Sequence, residues 1–436
     1  MTVLSIAWLF RFLYPVGIHT NLSHNRGMTP RYPIRPLVLR HLREAHTRNL
    51  AISVNERGAA IMAPKMIHIS LLVEGLSRAA ANVLKQQCLS CGCEAAVDSE
   101  VILGGEGCTA AIVTGDLRHF RTLASKLVGQ PWGMEELGAQ MLAYAERIAQ
   151  PPVRHIVWRS KTIKLAQPLV VAVLNLTPDS FSDGGSYPTV ESALEHAKHC
   201  EEEGADALEL GGESTRPGAA QVTADEEIER VIPVLNRLRP ATNLPLIVDT
   251  RKVEVARAAL DAGADAVNDV TAMCDATMRE IVARAGAGAI LMHMQGEPGT
   301  MQQNPTYTDV VAEINGFLID AAEVCEQAGI NQNAIVLDPG VGFGKTLEHN
   351  LEILHRLPEL SGGDYPVMVG LSRKAMIGKL TGRQNPQERL WGTLGGVLAA
   401  VAGGASFIRM HDVLPAVEAL QVFSAIQSYE NTASSP

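Results

Sequence analysis

From Leu169 onward, short apolar runs alternate with amphipathic stretches at a regular spacing. Eight such runs lie at 169–177, 207–212, 246–250, 266–270, 289–294, 335–340, 366–372 and 407–412. Apolar runs of this length predict strands buried on both faces of a parallel sheet, and the stretches between them predict covering helices. Eight strand–helix units in about 265 residues are typical of a (β/α)₈ TIM barrel. A doubly wound open sheet is the alternative, but it usually has about five or six strands.

Residues 34–150 have a different and less regular pattern. An amphipathic stretch, LVLRHLREAHTRN, precedes an apolar run at 66–73, a helical stretch SRAAANVLKQQ and a second apolar run TAAIVTG. Apolar strands alternating with helical stretches predict a smaller α/β or α+β N-terminal domain. Pro151 and Pro152 then mark a linker, because consecutive prolines interrupt regular structure.

The predicted organisation has five segments. They are an irregular extension at 1–33, an N-terminal accessory domain at 34–150, a linker at 151–164, the barrel at 165–428 and a tail at 429–436. The first segment shows no sustained periodicity, and we interpret Met28 as the more natural translation start. Its apolar stretch at 2–17 has no basic leading region and no small-residue cleavage site, and it is too short to span a bilayer.

Composition narrows the choice of partners. The chain has 436 residues, 46% hydrophobic and 19% charged, which is typical of a soluble protein with a large core. Its formal net charge of −10 argues against a nucleic-acid partner, because such a protein needs clustered positive charge. We therefore expect small-molecule partners and no membrane association.

The cysteines indicate a reducing compartment. Seven of them are spread over the chain, which does not suggest a disulfide framework, and we expect a cytoplasmic protein. Cys88, Cys91, Cys93 and Cys108 could suggest zinc. Their spacing is not one of the common zinc-site spacings, so we interpret them as structural, partly buried thiols.

Polar residues occur at the end of every predicted strand of the barrel. They are Asn175, Glu213, Asp249, Asn268, Asp269, His293, Asp338, Ser372, Arg409 and His411. The carboxyl ends of barrel strands meet on one face, where the following loops build the active site. A single polar strand end would mean little, but polar ends on all eight strands predict a functional site on this face.

The chemistry of these strand ends suggests the kind of ligand. Two carboxylates, Asp249 and Asp338, lie with the amide of Asn268 in the same predicted site. Such a set would satisfy a flat heterocycle that carries amino, ring N–H and carbonyl groups. Positive side chains at Lys374, Arg409 and His411 suit a phosphate-bearing tail. The sequence therefore predicts an anionic heterocyclic substrate.

A series of motifs crosses the predicted barrel in one order. They are NLTPDSFSDGG (175–185), ESTRPG (213–218), VDT (248–250), NDV (268–270), MHMQG (292–296), DPGVGFGK (338–345), GLSRK (370–374) and RMHD (409–412). With these motifs the chain resembles the dihydropteroate synthase family throughout residues 165–428. Residues 34–150 more loosely resemble an extra N-terminal domain found in some members of that family.

The resemblance implies a role for each matching residue. The pterin ring would be held by Asp249, Asn268, Asp338 and Lys374, packed against Met294, Phe343 and Gly370. The diphosphate would be bound by Arg409 and His411, and Mg²⁺ by Asn175 and Asp183. The pocket for 4-aminobenzoate, where sulfonamide drugs compete in the family, would be shaped by Phe181, Thr215, Arg216, Pro217 and Ser372. The implied catalytic residues are Asp249, Lys374, Arg409 and His411.

The activity implied by the resemblance joins a pterin diphosphate to 4-aminobenzoate, with Mg²⁺ as the cofactor and a homodimer as the assembly. A pterin-dependent methyltransferase that uses methyltetrahydrofolate is the alternative, because that class shares the barrel and the pterin contacts. The motifs ESTRPG, SRK and RMHD favour the synthase, since they would serve an aminobenzoate and a diphosphate. A third, non-enzymatic hypothesis concerns residues 34–150, which would form an interaction or dimer-supporting module.

Overall fold

The computed structural model describes residues 34–150, 154–177, 189–214, 222–297, 299–361 and 364–429. The described residues from Arg40 onward belong to one compact unit. The predicted extension at 1–33 and all of the predicted tail except Tyr429 lie outside the described residues. The predicted division of 34–428 into an accessory domain, a linker and a barrel domain stays a prediction.

The N-terminal part of this unit is an α+β arrangement. Its strands are β1 (His68–Ser77), β2 (Glu94–Val97) and β3 (Cys108–Asp116), and its helices are α1 (Leu42–Ala51), α2 (Glu56–Met66), α3 (Arg78–Cys91), α4 (Leu117–Leu127) and α5 (Met134–Ala149). The strands pair antiparallel in the order β1-β3-β2. Helix α4 begins in a capping box between Asp116 and His119 and buries Phe120 and Leu123 against the rest of this segment. This agrees with the predicted smaller N-terminal fold.

The predicted (β/α)₈ barrel is confirmed. Its strands are β6 (Leu169–Asn175), β7 (Ala207–Gly211), β8 (Leu246–Asp249), β9 (Ala266–Asp269), β10 (Gly288–Met292), β11 (Ile335–Asp338), β12 (Met368–Gly370) and β13 (Phe407–Met410). They pair parallel in the order β11-β10-β9-β8-β7-β6-β13-β12. A parallel bridge between Leu337 and Val367 joins the two ends of this order and closes the barrel.

Helices cover the outside of the barrel. They are α6 (Val190–Glu202), α7 (Ala224–Leu238), α8 (Val253–Asp261), α9 (Ala276–Ala285), α10 (Val310–Gln327), α11 (Leu347–His355), α12 (Leu357–Ser361), α13 (Ala375–Thr381), α14 (Leu390–Ala402) and α15 (Val413–Gln427). Their apolar sides pack on strands that are themselves buried, so one core runs through both layers. Within the described part of the chain, no helix has the length and apolarity needed to cross a membrane.

Two glycines turn the chain from a helix into the next strand. Gly204 follows α6 with φ of +94° and Gly263 follows α8 with φ of +99°. This left-handed conformation costs glycine little because glycine has no Cβ. The next residues, Ala205 and Ala264, then donate backbone hydrogen bonds to the preceding helices. The repeated GAD turn therefore sets where β7 and β9 begin.

A hairpin covers the N-terminal end of the barrel, within the stretch assigned mostly to a linker. It consists of β4 (Arg154–Trp158) and β5 (Lys161–Leu165). Trp158 is fully buried, stacks on Phe407 at a centroid distance of 6.0 Å and donates from Nε1 to the carbonyl of Ala334 at 3.0 Å. Trp158 therefore contacts the first residues of β13 and β10, because Gly288 also lies against its indole ring, and the residue just before β11.

Gly288→Ala should destabilise the protein. A Cβ on Gly288 would lie 2.2 Å from Trp158 Nε1, and the hydrogen bond to Ala334 prevents the indole from moving away. We expect a loss of about 1–3 kcal/mol in the free energy of unfolding, measured by urea titration. Gly316→Ala in α10 is the control, because a Cβ there meets nothing within 4 Å and alanine favours a helix. An unchanged midpoint for Gly288→Ala would contradict this account of Trp158.

Candidate active site

The carboxyl ends of the barrel strands surround a cavity of about 920 Å³. Nine residues predicted to form the site line it, namely Asn175, Asp249, Asp338, Phe343, Gly370, Ser372, Lys374, Arg409 and His411. They come from β6, β8, β11, β12, β13 and the loops that follow, which is where a barrel places functional side chains. The structure therefore brings the polar tips of distant strands together, as the sequence pattern predicts.

The remaining predicted residues fall into two groups. Asn268 is fully buried beside the site, and Met294 is partly buried after β10; neither lines the cavity. Phe181, Asp183, Thr215, Arg216 and Pro217 lie outside the described residues, so their places stay predictions.

The Arg409 guanidinium is held between two carboxylates. Its Nε lies 2.5 Å from Glu209 Oε2, and its Nη2 lies 2.5 Å from Asp249 Oδ2. The first contact is an ion pair without aligned hydrogen-bond geometry, whereas Nη2 donates a hydrogen bond to Asp249. Burial alone would lower the pKa of Arg409, but Glu209 and Asp249 raise it above its ordinary value. Arg409 is therefore a permanent cation at the centre of the site.

Glu209 is a site residue that the sequence prediction did not name. It is the third residue of β7 and is fully buried, and one of its oxygens accepts a hydrogen bond from Asn268 Nδ2 at 2.6 Å. Burial raises the pKa of Glu209 to about 7, although Arg409 opposes this rise. A glutamate in the middle of an otherwise apolar buried strand is the signal that would have identified it.

Lys374 follows β12 and points at the loop after β11. Its ammonium donates to the carbonyl of Val341 and lies 4.5 Å from the centre of the Phe343 ring. Burial lowers the pKa of Lys374 to about 8, partly offset by the nearby carboxylate of Asp338. Asp338 accepts from the backbone N–H of Gly340 at 2.7 Å, and burial raises its pKa. Lys374 and Asp338 therefore lie close enough for the charge of each to oppose the effect of burial on the pKa of the other.

A buried lysine fixes the loop that carries Val341 and Phe343. Lys345 Nζ lies 3.0 Å from His293 Nδ1 and donates to the carbonyl of Phe343 at 2.9 Å. Burial lowers the pKa of Lys345 to about 7, and burial with Lys345 lowers the pKa of His293 to about 3. His293 is therefore a neutral acceptor, and its ring packs edge-on against Phe317. Neither Lys345 nor its contact with His293 was predicted from the sequence.

His411, Ser372 and Asn175 form a connected polar group at the other side of the cavity. Ser372 Oγ lies 2.9 Å from His411 Nδ1 and accepts from the His411 backbone N–H at 3.1 Å. His411 Nε2 lies 3.3 Å from Asn175 Nδ2. Each ring nitrogen of His411 therefore has a polar neighbour.

Two further contacts hold the loops around the cavity. Arg373 and Asp412 form a two-pronged ion pair with distances of 3.0 and 2.5 Å, which joins the loops after β12 and β13. Glu213 accepts from the backbone of Val222 at 3.2 Å and from Lys252 at 3.0 Å. Glu213 therefore fixes the chain on both sides of residues 215–221.

Asn175 is the predicted metal ligand that lies among the described residues. Asn175 presents a carboxamide to the cavity, but among these residues no group of three or more His, Cys, Asp or Glu side chains could hold an ion. Cys88, Cys91, Cys93 and Cys108 are free thiols, of which Cys88 and Cys93 are buried.

Sequence comparison assigns the barrel to a family. The family described as pterin binding enzyme matches residues 171–411, more than half of the chain. The chain belongs to the pterin-binding enzymes. The dihydropteroate synthase of Escherichia coli K12 is 45% identical to it over 267 residues, which cover 61% of this chain and 94% of that protein.

Two other comparisons extend this result. The solved dihydropteroate synthase of Xanthomonas albilineans in complex with 7,8-dihydropteroate has a TM-score of 0.58 and 42% identity, and the match covers 63% of this chain and 100% of that one. A probable bifunctional folylpolyglutamate synthase/dihydropteroate synthase of Halobacterium salinarum is 37% identical over 348 residues, 80% of this chain and 42% of that protein. The second match is longer than the barrel and therefore reaches into the preceding segment.

The charge state of Lys374 should limit activity at alkaline pH. Lys374 is cationic below its pKa of about 8 and loses its proton as the pH rises through that value. Lys374 is predicted to donate to the ring of the substrate, and a neutral amine is a weaker donor than an ammonium, so kcat/KM should fall above about pH 8. Lys374→Arg should lower the rate but remove this fall, since arginine stays protonated. If kcat/KM fell in the same way at alkaline pH in the wild type and in Lys374→Arg, the fall could not be due to Lys374.

Proposed function

We propose that the enzyme condenses (7,8-dihydropterin-6-yl)methyl diphosphate with 4-aminobenzoate, giving 7,8-dihydropteroate and diphosphate in folate biosynthesis. The observation that carries this proposal is the cavity in which Asp249, Asp338, Lys374 and Arg409 meet at the mouth of a pterin-binding barrel. Support also comes from relatives that bear the name dihydropteroate synthase and from one solved with 7,8-dihydropteroate. Among the described residues, no structural feature favours the methyltransferase alternative.

The buried acceptors suit the edge of a dihydropterin ring. Asp249 ends β8 and lies opposite Asn268 on β9, so their side chains stand at the same level of the barrel. Asp338 ends β11, next to β10. Amino and ring N–H groups of the pterin would donate to these oxygens, and Lys374 would donate to the ring carbonyl. Phe343 lies against Lys374 and supplies a flat surface for the ring.

The diphosphate end needs positive charge and N–H donors. Arg409 stays cationic, and His411 lies between Ser372 and Asn175 at the cavity wall. When the bond between the methylene carbon and the diphosphate oxygen breaks, the oxygen keeps the bonding electrons. Arg409 and His411 would stabilise this departing charge.

The carbon left behind is electron-poor, and the ring would share its positive charge. Asp249 would stabilise that charge, since its side chain lines the cavity that would hold the ring. The aniline nitrogen of 4-aminobenzoate then forms the new carbon–nitrogen bond with its lone pair and releases one proton, which the departing diphosphate or solvent takes up. Arylamines are weak nucleophiles, so the site would act mainly by positioning.

Magnesium is proposed as the cofactor. Mg²⁺ prefers oxygen ligands, keeps several waters and is commonly bound by one or two protein oxygens together with substrate phosphates. Asn175 supplies one such oxygen beside His411, and Asp183 is proposed as the second ligand. When bound, Mg²⁺ would neutralise charge on the diphosphate.

A homodimer is proposed as the assembly, with α14 and α15 as its interface. These helices expose large apolar side chains, and the most exposed are Trp391 at 80%, Ile426 at 68% and Val422 at 62%. Large exposed apolar residues on two helices that contact each other are typical of interaction surfaces. Since all seven cysteines are free thiols, we also propose a cytoplasmic location.

A direct assay tests the function. The purified protein, given both substrates and Mg²⁺, should form 7,8-dihydropteroate, and EDTA should abolish turnover. Asp249→Ala should lower kcat/KM by about 100-fold or more, because it removes a ring contact and the stabilising charge. His411→Ala should raise KM for the diphosphate substrate without weakening binding of the ring alone. No product from the wild-type protein, or wild-type rates in both variants, would overturn the proposal.

Val422→Asp tests the homodimer. A carboxylate in the proposed interface would be buried without a partner. The variant should therefore run as a monomer in size-exclusion chromatography with light scattering. The wild type should have twice the mass of the chain. Val128→Asp is the matched control, because Val128 is 59% exposed but lies at the end of α4. A wild-type protein of single-chain mass would refute the homodimer, and a dimeric Val422→Asp would exclude this interface.

A further inference from the structure

Glu209 and Asn268 form a hydrogen bond whose direction is fixed by chemistry. Both residues are fully buried, and Asn268 Nδ2 donates to Glu209 Oε1 at 2.6 Å. The ion pair with Arg409 favours the carboxylate form of Glu209, which only accepts, so the amide turns its nitrogen toward Glu209 and its oxygen away. Within the described residues, Asn268 Oδ1 is buried and has no hydrogen-bond partner. A buried amide oxygen without a partner is costly, which points to a ligand that satisfies it.

The second oxygen of Glu209 faces Arg409. The distance from Oε2 to Arg409 Nε is 2.5 Å, so one carboxylate contacts both an amide and a guanidinium. Because Nε faces Glu209, the two terminal nitrogens of Arg409 point toward the rest of the site, where Nη2 meets Asp249. Glu209 does not line the cavity, and its side chain contacts Asn268 and Arg409.

We propose that Glu209 is a positioning residue that sets the donor and acceptor pattern of the ring pocket. It directs the oxygen of Asn268 toward the ring and the terminal nitrogens of Arg409 toward the diphosphate. Asn268 then adds an acceptor beside Asp249, its neighbour across the β8–β9 pair. A ring edge rich in N–H donors would fit these two adjacent acceptors, and a ring edge rich in acceptors would not. The inference rests on the proposed function and names the residue that makes the site selective for such a ring.

Replacing Glu209 by glutamine should invert this pattern. The glutamine oxygen would turn to the cation Arg409, so its NH₂ group would face Asn268. Asn268 would then flip to accept that hydrogen bond and would present its own NH₂ group to the ring. Two donors would meet, and the affinity for 6-hydroxymethyl-7,8-dihydropterin should fall by about 10- to 100-fold.

Asn268→Asp provides a rescue that a merely structural role would not produce. Alone, this change places two carboxylates against each other and should also weaken ring binding. In the double variant Glu209→Gln/Asn268→Asp, the NH₂ group of the introduced glutamine would donate to one oxygen of the introduced aspartate, while the other oxygen would still accept from the ring. The net charge equals that of the wild type, so affinity should return to within about threefold of it, as a double-mutant cycle would measure.

Asp265→Asn is the matched control. Asp265 is a buried carboxylate on the turn before β9, at the other end of the strand that carries Asn268, and it pairs with Lys161 and Arg239 at 2.8 Å each. This change should lower the thermal midpoint but leave ring affinity unchanged. The control therefore separates loss of a buried carboxylate from loss of the ring contact.

Calorimetric titration of the full-length proteins with 6-hydroxymethyl-7,8-dihydropterin measures these affinities and tests the role of Glu209. Wild-type affinity in Glu209→Gln, or a double variant no better than Asn268→Asp, would overturn the role of Glu209. Should Glu209→Gln fail to fold, the comparison between the double variant and Asn268→Asp still decides. A wild-type protein that neither binds the ring nor forms dihydropteroate would refute the proposed function instead.

Discussion

Opposite charges in the mouth of the barrel must neutralise one another, because the protein removes them from solvent. An unpaired buried charge would cost several kcal/mol. Arg409 pairs with Glu209 and Asp249, and Lys374 stands near Asp338. This balance lets a strongly acidic protein keep a local set of cations for an anionic substrate. Burial shifts the pKa values of Glu209 and Lys374, and a neighbour of opposite charge limits each shift.

The two ends of the barrel divide stability and function. At the N-terminal end, Trp158 fills the space between strands, and Arg159 donates to the carbonyls of Leu260 and Ala264 at 3.0 Å each. At the other end, the strands finish on polar groups around an open cavity. Apolar packing at one end thus offsets the free-energy cost of burying the carboxyl groups of Glu209 and Asp338 at the other. The hairpin that carries Trp158 is therefore part of what makes the site possible.

The sequence predicts the features that repeat and misses those that occur once. Eight apolar runs recur with the barrel's period, and Asp249 and Asp338 close two of them, so strands and strand ends could be placed. Glu209 lies inside a run rather than at its end, and its role depends on two residues far along the chain. The hairpin around Trp158 has no repeat to reveal it. The sequence does not single out Lys345, because only the folded loop buries its ammonium.

On the proposed function, the two halves of the substrate would bind most favourably together. Asp249 and Arg409 pair with each other at 2.5 Å. A ring alone would donate to Asp249 in place of Arg409, which would leave Arg409 Nη2 without its partner. A free diphosphate would accept from Arg409 and would leave Asp249 without its partner. The complete substrate replaces both partners in one event, since its ring donates to Asp249 while its tail accepts from Arg409. Glu209 keeps the Nε side of Arg409 paired during this exchange, so the cation never loses all its partners. The ion pair at the centre of the site thus couples recognition of the ring to recognition of the leaving group.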